Sequence, residues 1–124
     1  MAPSERPPVA ELLDVDREYR EKVDADALRR IAPKENNPTG EAWLPILHAK
    51  RGDRKYTALF SNTEMAHAIG KTHEWVVIYL DRSDAPGQAQ WTVVTETRGA
   101  LSGKRVVRGR EKECRAFYGE ENEP

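Results

Sequence analysis

The run Trp75-Val-Val-Ile-Tyr-Leu80 constrains this chain more than any other stretch. It is short, β-branched and aromatic, so residues 74–81 read as the strongest strand in the sequence. The run shows no alternation of apolar and polar side chains. The strand is therefore expected to be covered on both faces and to sit centrally in a sheet.

Its neighbours read as strands too. Residues 43–50 form a first one, with Pro45 marking an edge or a bulge. Arg51-Gly-Asp-Arg54 is a turn, and residues 55–60 form a second strand with Tyr56, Ala58 and Phe60 on one face. After the central strand, Asp84-Ala-Pro-Gly87 supplies a turn with Pro-Gly in type II order. Residues 90–98 are the next strand, residues 99–103 turn the chain, and residues 104–108 are a short last strand at or near an edge. Connections this short between the last three strands demand antiparallel pairing, because parallel strands need long crossovers.

Helical spacing appears at three places. Leu12, Val15, Tyr19 and Val23 form an N-terminal stripe, and Asp24 or Asp26 is placed to cap a last short turn through Leu28. Pro33 ends that stretch, and residues 33–40, with two prolines, a glycine and two asparagines, are loop. Ser61 with Glu64 fits a capping box, Thr63 being the other candidate cap; Met65, Ala68 and Ile69 give a short apolar face and Gly70 a stop. Residues 110–118 place Cys114, Phe117 and Tyr118 on one helical side. The expected fold is α+β: a roughly five-stranded antiparallel sheet with an N-terminal helix, a short mid-chain helix and a C-terminal helix. Residues 1–8 are a flexible lead-in, 9–118 a single domain and 119–124 an acidic tail.

With 124 residues the chain is long enough to bury a core without staples. Its single cysteine, Cys114, allows no disulfide within the chain and favours a reducing compartment. The N-terminus has no signal-peptide h-region, and the longest apolar run is far too short to span a bilayer. A cytoplasmic protein without membrane association is expected.

A net charge of −1 conceals segregation. Between Arg98 and Arg115 lie seven basic residues (Arg98, Lys104, Arg105, Arg108, Arg110, Lys112 and Arg115) against Glu111 and Glu113. The end of the chain carries only Glu120, Glu121 and Glu123. Such a block suits a polyanion, with the acidic tail competing for it. By strand alternation Lys104 and Arg108 share a face with Val106, and Arg105 takes the other. A charged edge strand that blocks aggregation would look the same. Trp91 and Tyr118 are the nearby aromatics able to stack on bases.

Other chemistry is weaker. His48, His67 and His73 show no metal spacing, and Cys114 has no CxxC partner. Cys114 reads as a buried, inert packing residue. Arg51-Gly-Asp53 spells an adhesion tripeptide but stands where a hairpin turn is required. Gly99, Gly103 and Gly109 are strand punctuation rather than a phosphate loop. A metal-dependent enzyme acting on a nucleotide or phosphodiester would draw on Glu96, His67 or Glu111, but these acids sit among arginines, where structural ion pairs are the simpler account.

Several segments together carry a resemblance. They are Pro8-Val-Ala-Glu-Leu-Leu-Asp-Val-Asp-Arg-Glu-Tyr-Arg20, Leu28-Arg-Arg-Ile-Ala-Pro-Lys34, Asn37-Pro-Thr-Gly-Glu-Ala-Trp-Leu-Pro45, Thr57-Ala-Leu-Phe-Ser-Asn-Thr63, His73-Glu-Trp-Val-Val-Ile-Tyr79, Thr92-Val-Val-Thr-Glu-Thr-Arg-Gly99, Arg105-Val-Val-Arg-Gly-Arg-Glu111 and Glu113-Cys114. The combination resembles the C-terminal module of bacterial helix-hairpin-helix proteins whose N-terminal part is similar to family X DNA polymerases. The resemblance implies company with DNA, in repair, and supplies no catalytic residues. The loop Lys34-Glu-Asn-Asn37 departs from it, with an acid and amides where basic and aromatic residues are expected.

The leading expectation is a DNA-associated accessory module without catalysis or cofactor, contacting phosphates through Lys104, Arg105, Arg108, Arg110 and Arg115. The alternatives are the metal-dependent enzyme and a protein-interaction domain whose Leu12-to-Val23 stripe packs on a partner.

Overall fold

Apolar residues at helical spacing lead into β-rich segments joined by short turns, and the structure follows that order. The computed structural model describes residues 7–70, 74–81 and 89–119. Its elements are α1 (Val9–Asp24), β1 (Arg30–Ile31), β2 (Leu44–Arg51), β3 (Arg54–Phe60), α2 (Glu64–Ala68), β4 (Val76–Leu80), β5 (Ala89–Thr95), β6 (Arg105–Val107) and α3 (Glu111–Tyr118). The six strands form one antiparallel sheet in sequence order. The fold class is the expected one. The expected turn at 84–87, His73, most of the lead-in and the acidic residues after Gly119 lie outside the described residues.

The sixth strand is the two-residue β1, in a stretch that reads as the end of a helix. There α1 stops instead, and Asp26 takes φ +54°. Ala27 N–H donates to the Lys22 carbonyl (2.9 Å) and Asp26 N–H to the Val23 carbonyl (3.0 Å), the pairing of a Schellman stop with Asp in the left-handed position usual for glycine. The freed chain then pairs Arg30 with Pro45 and Ile31 with Leu44.

Strand register divides the sheet into two faces. Tyr56, Ala58 and Phe60 pair with Leu80, Ile78 and Val76, and Val76 pairs with Val93, opposite Val107. This face is the core, closed by Leu12, Val15 and Tyr19 of α1, all fully buried. Each such side chain contributes about 1.5–3 kcal/mol when fully buried. The α1 stripe is thus consumed by the chain's own core and is not presented to a partner. Phe117 is exposed, and Cys114 turns inward.

Pro45 sits where β2 passes from pairing with β1 to pairing with β3, so its missing N–H interrupts no ladder bond. The Tyr19 hydroxyl fills the break: it donates to the Pro45 carbonyl (2.7 Å) and accepts from Phe60 N–H (3.0 Å). At the opposite end of the hairpin, Gly52 takes φ +61° at the first position of a two-residue loop, which favours glycine there.

Candidate nucleic-acid interface

The five cations expected to contact phosphates are dispersed by the fold. Arg105 points to the helix-covered face, as alternation requires, and its side chain is only 13% exposed. It donates from Nη2 to Asp16 Oδ1 (2.9 Å) and from Nη1 to Thr95 Oγ1 (3.1 Å), and it pairs with Glu74. Asp16 is fully buried and also receives Arg20 at 2.9 Å. Arg105 therefore ties α1, the entry to β4, β5 and β6 together.

Arg110 is also inside. It is 6% exposed and grips Glu113 through Nε (2.8 Å) and Nη2 (2.7 Å). Its Nη1 is buried without a hydrogen-bond partner among the described residues. Arg115 is exposed on α3 and lines a cleft with Glu96, Arg98, Glu111 and Lys112. Lys104 lies over the Tyr118 ring, 5.7 Å from its centroid. Arg108 is exposed just beyond β6, where its N–H donates to the Thr92 carbonyl (2.9 Å). Arg108 thus lines a hollow with Trp75, Thr92 and Val94, whereas Lys104 lies against Tyr118 of α3.

Both aromatics singled out for stacking are committed elsewhere. Trp91 pairs with Ile78 on the core face. Tyr118 donates its hydroxyl to the Arg105 carbonyl (2.8 Å).

Helices α1 and α3 pack on the first face, and the second is partly open. Alternation places Leu59, Val77, Tyr79, Gln90 and Thr92 on it, with His48 and Thr57 beside them. Only part of the expected cover on β4 exists: Val76, Ile78 and Leu80 are deeply buried, while Tyr79 is half-exposed. Together with Glu35, Asn36, Asn62, Thr63 and Glu64, this face floors a concavity of about 820 Å³. Two reciprocal bonds hold its rim. Asn36 Nδ2 donates to the Asn62 carbonyl and Asn62 Nδ2 to the Glu35 carbonyl, both at 2.8 Å. Asn36 adopts φ +53° to do so.

A smaller hollow adjoins the concavity, lined by Ser61, Thr63, Met65, Trp75, Thr92, Val94 and Arg108. Helix α2 forms one wall. Thr63, not Ser61, caps it, accepting from Ala66 N–H at 3.1 Å. Its expected apolar face turns outward, with Met65 64% and Ile69 52% exposed. At the far end of the open face lie Lys55 and, one strand outward, Lys50.

Tyr79 and Trp75 were hidden in the sequence by the very run that identifies the strand. Six apolar residues in succession hide which half of them faces a helix.

The residues weighed for metal chemistry are not gathered. Glu96 and Glu111 share the cationic cleft of Arg115, whereas His67 contacts Asn62 Oδ1 (2.6 Å) and the Trp43 ring. Among the described residues no group of three His, Cys, Asp or Glu is arranged to hold a metal ion. Burial raises the Cys114 thiol pKa, and its Sγ accepts from Val107 N–H (3.3 Å). Arg51 of the adhesion-like tripeptide is held by Glu18 (2.7 Å) and Asp14 (2.9 Å). No described helix is long and apolar enough to cross a membrane.

No protein-family model matches the chain, and neither a curated protein nor a solved structure matches it.

Proposed function

We propose that the protein is a non-enzymatic, cytoplasmic DNA-associated module that holds single-stranded nucleic acid across the open sheet face. The observation that carries this reading is the make-up of that face. Half-exposed Tyr79 and Trp75 stand among amide and hydroxyl side chains, with Arg108 at one end and Lys55 at the other. Open sheets that offer aromatics to unstacked bases and cations to phosphates bind single strands with little sequence choice. Lys104 and Arg108 keep the phosphate-contacting role expected of the basic block, whereas Arg105 and Arg110 serve the fold. The resemblance to the helix-hairpin-helix-associated module supports the same reading. Glu35 and Glu64 on the rim oppose phosphates and keep the strand near Arg108.

The test is a titration of labelled single- and double-stranded oligonucleotides at low and moderate salt. Single strands are expected to bind tighter. Contacts by Lys55, Lys104 and Arg108 would give a log–log salt slope of about −2. Tyr79→Ala is expected to cost about 1–3 kcal/mol of binding, and Glu64→Gln to strengthen it. No binding at low salt, or binding indifferent to salt, would sink the proposal.

A further inference from the structure

The two edges of the sheet are treated differently. On β6, side chains and the following turn take three outward backbone groups. The Tyr118 hydroxyl occupies the Arg105 carbonyl (2.8 Å), Cys114 Sγ occupies Val107 N–H (3.3 Å), and Arg110 N–H occupies the Val107 carbonyl (3.0 Å). That edge is sealed by α3.

The other edge is not sealed. Strand β2 has eight residues, but β1 pairs with only Leu44 and Pro45. Ile46 N–H still reaches back to the Arg29 carbonyl (3.0 Å), after which the β1 side of β2 has no neighbouring strand among the described residues. Backbone groups alternate in direction along a strand with a period of two. Since Ile46 N–H faces the β1 side, the groups of His48 and Lys50 do as well. The Lys50 carbonyl is taken by Arg51 Nη1 at 3.0 Å. The N–H groups of His48 and Lys50 and the His48 carbonyl remain without a backbone partner among the described residues. Edges are normally blunted against pairing, and β6 shows that this fold has the means to do so.

We infer that the β2 edge from His48 to Lys50 receives an extended acidic segment of a partner protein, added as a seventh strand with carboxylates at alternate positions. Charge selects this occupant. His48 and Lys50 project to the same sheet face, with Lys55 beside Lys50 on β3. Arg51 on the opposite face is already neutralised by Asp14 and Glu18. A second copy of this chain pairing antiparallel about Ala49 would set each Lys50 opposite the other copy's His48 and offer neither lysine a carboxylate. Strand addition draws affinity from main-chain bonds and specificity from alternate side chains, here an acid opposite each of His48 and Lys50.

The test is backbone amide hydrogen exchange followed by NMR on the full chain. The probe is a synthetic peptide of alternating glutamate and valine, with the same peptide carrying lysine for glutamate as control. At a peptide concentration about ten times its Kd, exchange at His48 and Lys50 should slow about tenfold with the glutamate peptide and stay unchanged with the lysine peptide. Lys50→Pro removes an outward N–H without touching the β2–β3 ladder, so it should abolish protection at His48 and keep the circular dichroism spectrum. Lys50→Glu keeps the backbone and should reverse the preference towards the lysine peptide. Four outcomes would overturn the inference: no protection by the glutamate peptide, equal protection by both peptides, protection that rises with protein concentration alone, or protection by a single-stranded oligonucleotide only.

Discussion

Asp16 is the residue on which most of the internal electrostatics converge. It is fully buried, and Arg105 and Arg20 both reach it. Two charges removed from water offset their desolvation only if both are well hydrogen-bonded. Losing one partner therefore costs more than the pair contributes. Asp16→Ala is expected to destabilise by about 3–5 kcal/mol in chemical denaturation, and a double variant with Arg105→Met to recover much of that loss. Arg108→Ala, on an exposed side chain, should change stability by no more than about 0.5 kcal/mol. Equal losses from the two variants would contradict the division of the basic block into structural and surface cations. Alternation alone already separates Arg105 from Lys104 and Arg108. What it cannot say is that the face receiving Arg105 also carries a buried aspartate, 89 positions earlier in the chain.

At the scale of elements, helix side chains complete strands. Tyr19 of α1 supplies the hydroxyl that bridges β2 and β3 beyond their last paired residues, and Tyr118 and Cys114 of α3 finish the edge of β6. Burial pushes the Tyr19 hydroxyl pKa well above the usual tyrosine range, so it stays protonated and able to donate. Tyr19→Phe takes a partner from both the Pro45 carbonyl and Phe60 N–H. It is expected to cost about 1–3 kcal/mol and to speed amide exchange at Phe60. A variant as stable as the parent would show that water replaces the hydroxyl. Helix α2 illustrates the opposite case: its apolar spacing reads as an inward face, yet the helix is only five residues long and buries Ala66 alone. Spacing identifies a face, and only the position of the helix against the sheet says whether that face is covered.

For the whole molecule, α1 is riveted to the β2–β3 hairpin by carboxylates held below their usual range. A hydrogen bond from Arg54 is the main cause for Glu11, from Arg17 for Asp14 and from Lys22 for Glu18, with Arg51 adding to the last two. A carboxyl with a lowered folded pKa stabilises the fold above its unfolded pKa, and that stability is lost as pH falls through the folded value. Stability from these groups should therefore be level from neutrality to about pH 5 and decline below about pH 4. Arg54→Met should flatten the acid limb of a denaturation midpoint plotted against pH; an unchanged limb would remove Glu11 from the account. Much of this architecture was legible in the residues. The uninterrupted run at 75–80, the Thr- and Val-rich strand after it and the short turns determined an antiparallel sheet, because period and loop length are local properties. The strand β1 was not legible: two residues carry no period, and pairing with Leu44 and Pro45 alone defines them. Nor was the candidate site. Composition determined that cations cluster between 98 and 115, but only the tertiary structure decided which of them meet buried carboxylates and which meet solvent. The same holds for the central strand, whose sequence declares both faces apolar. Tyr79 lies half-open on the floor of a concavity because α1 and α3 pack on the other side of the sheet, a choice made by contacts between segments distant in the chain.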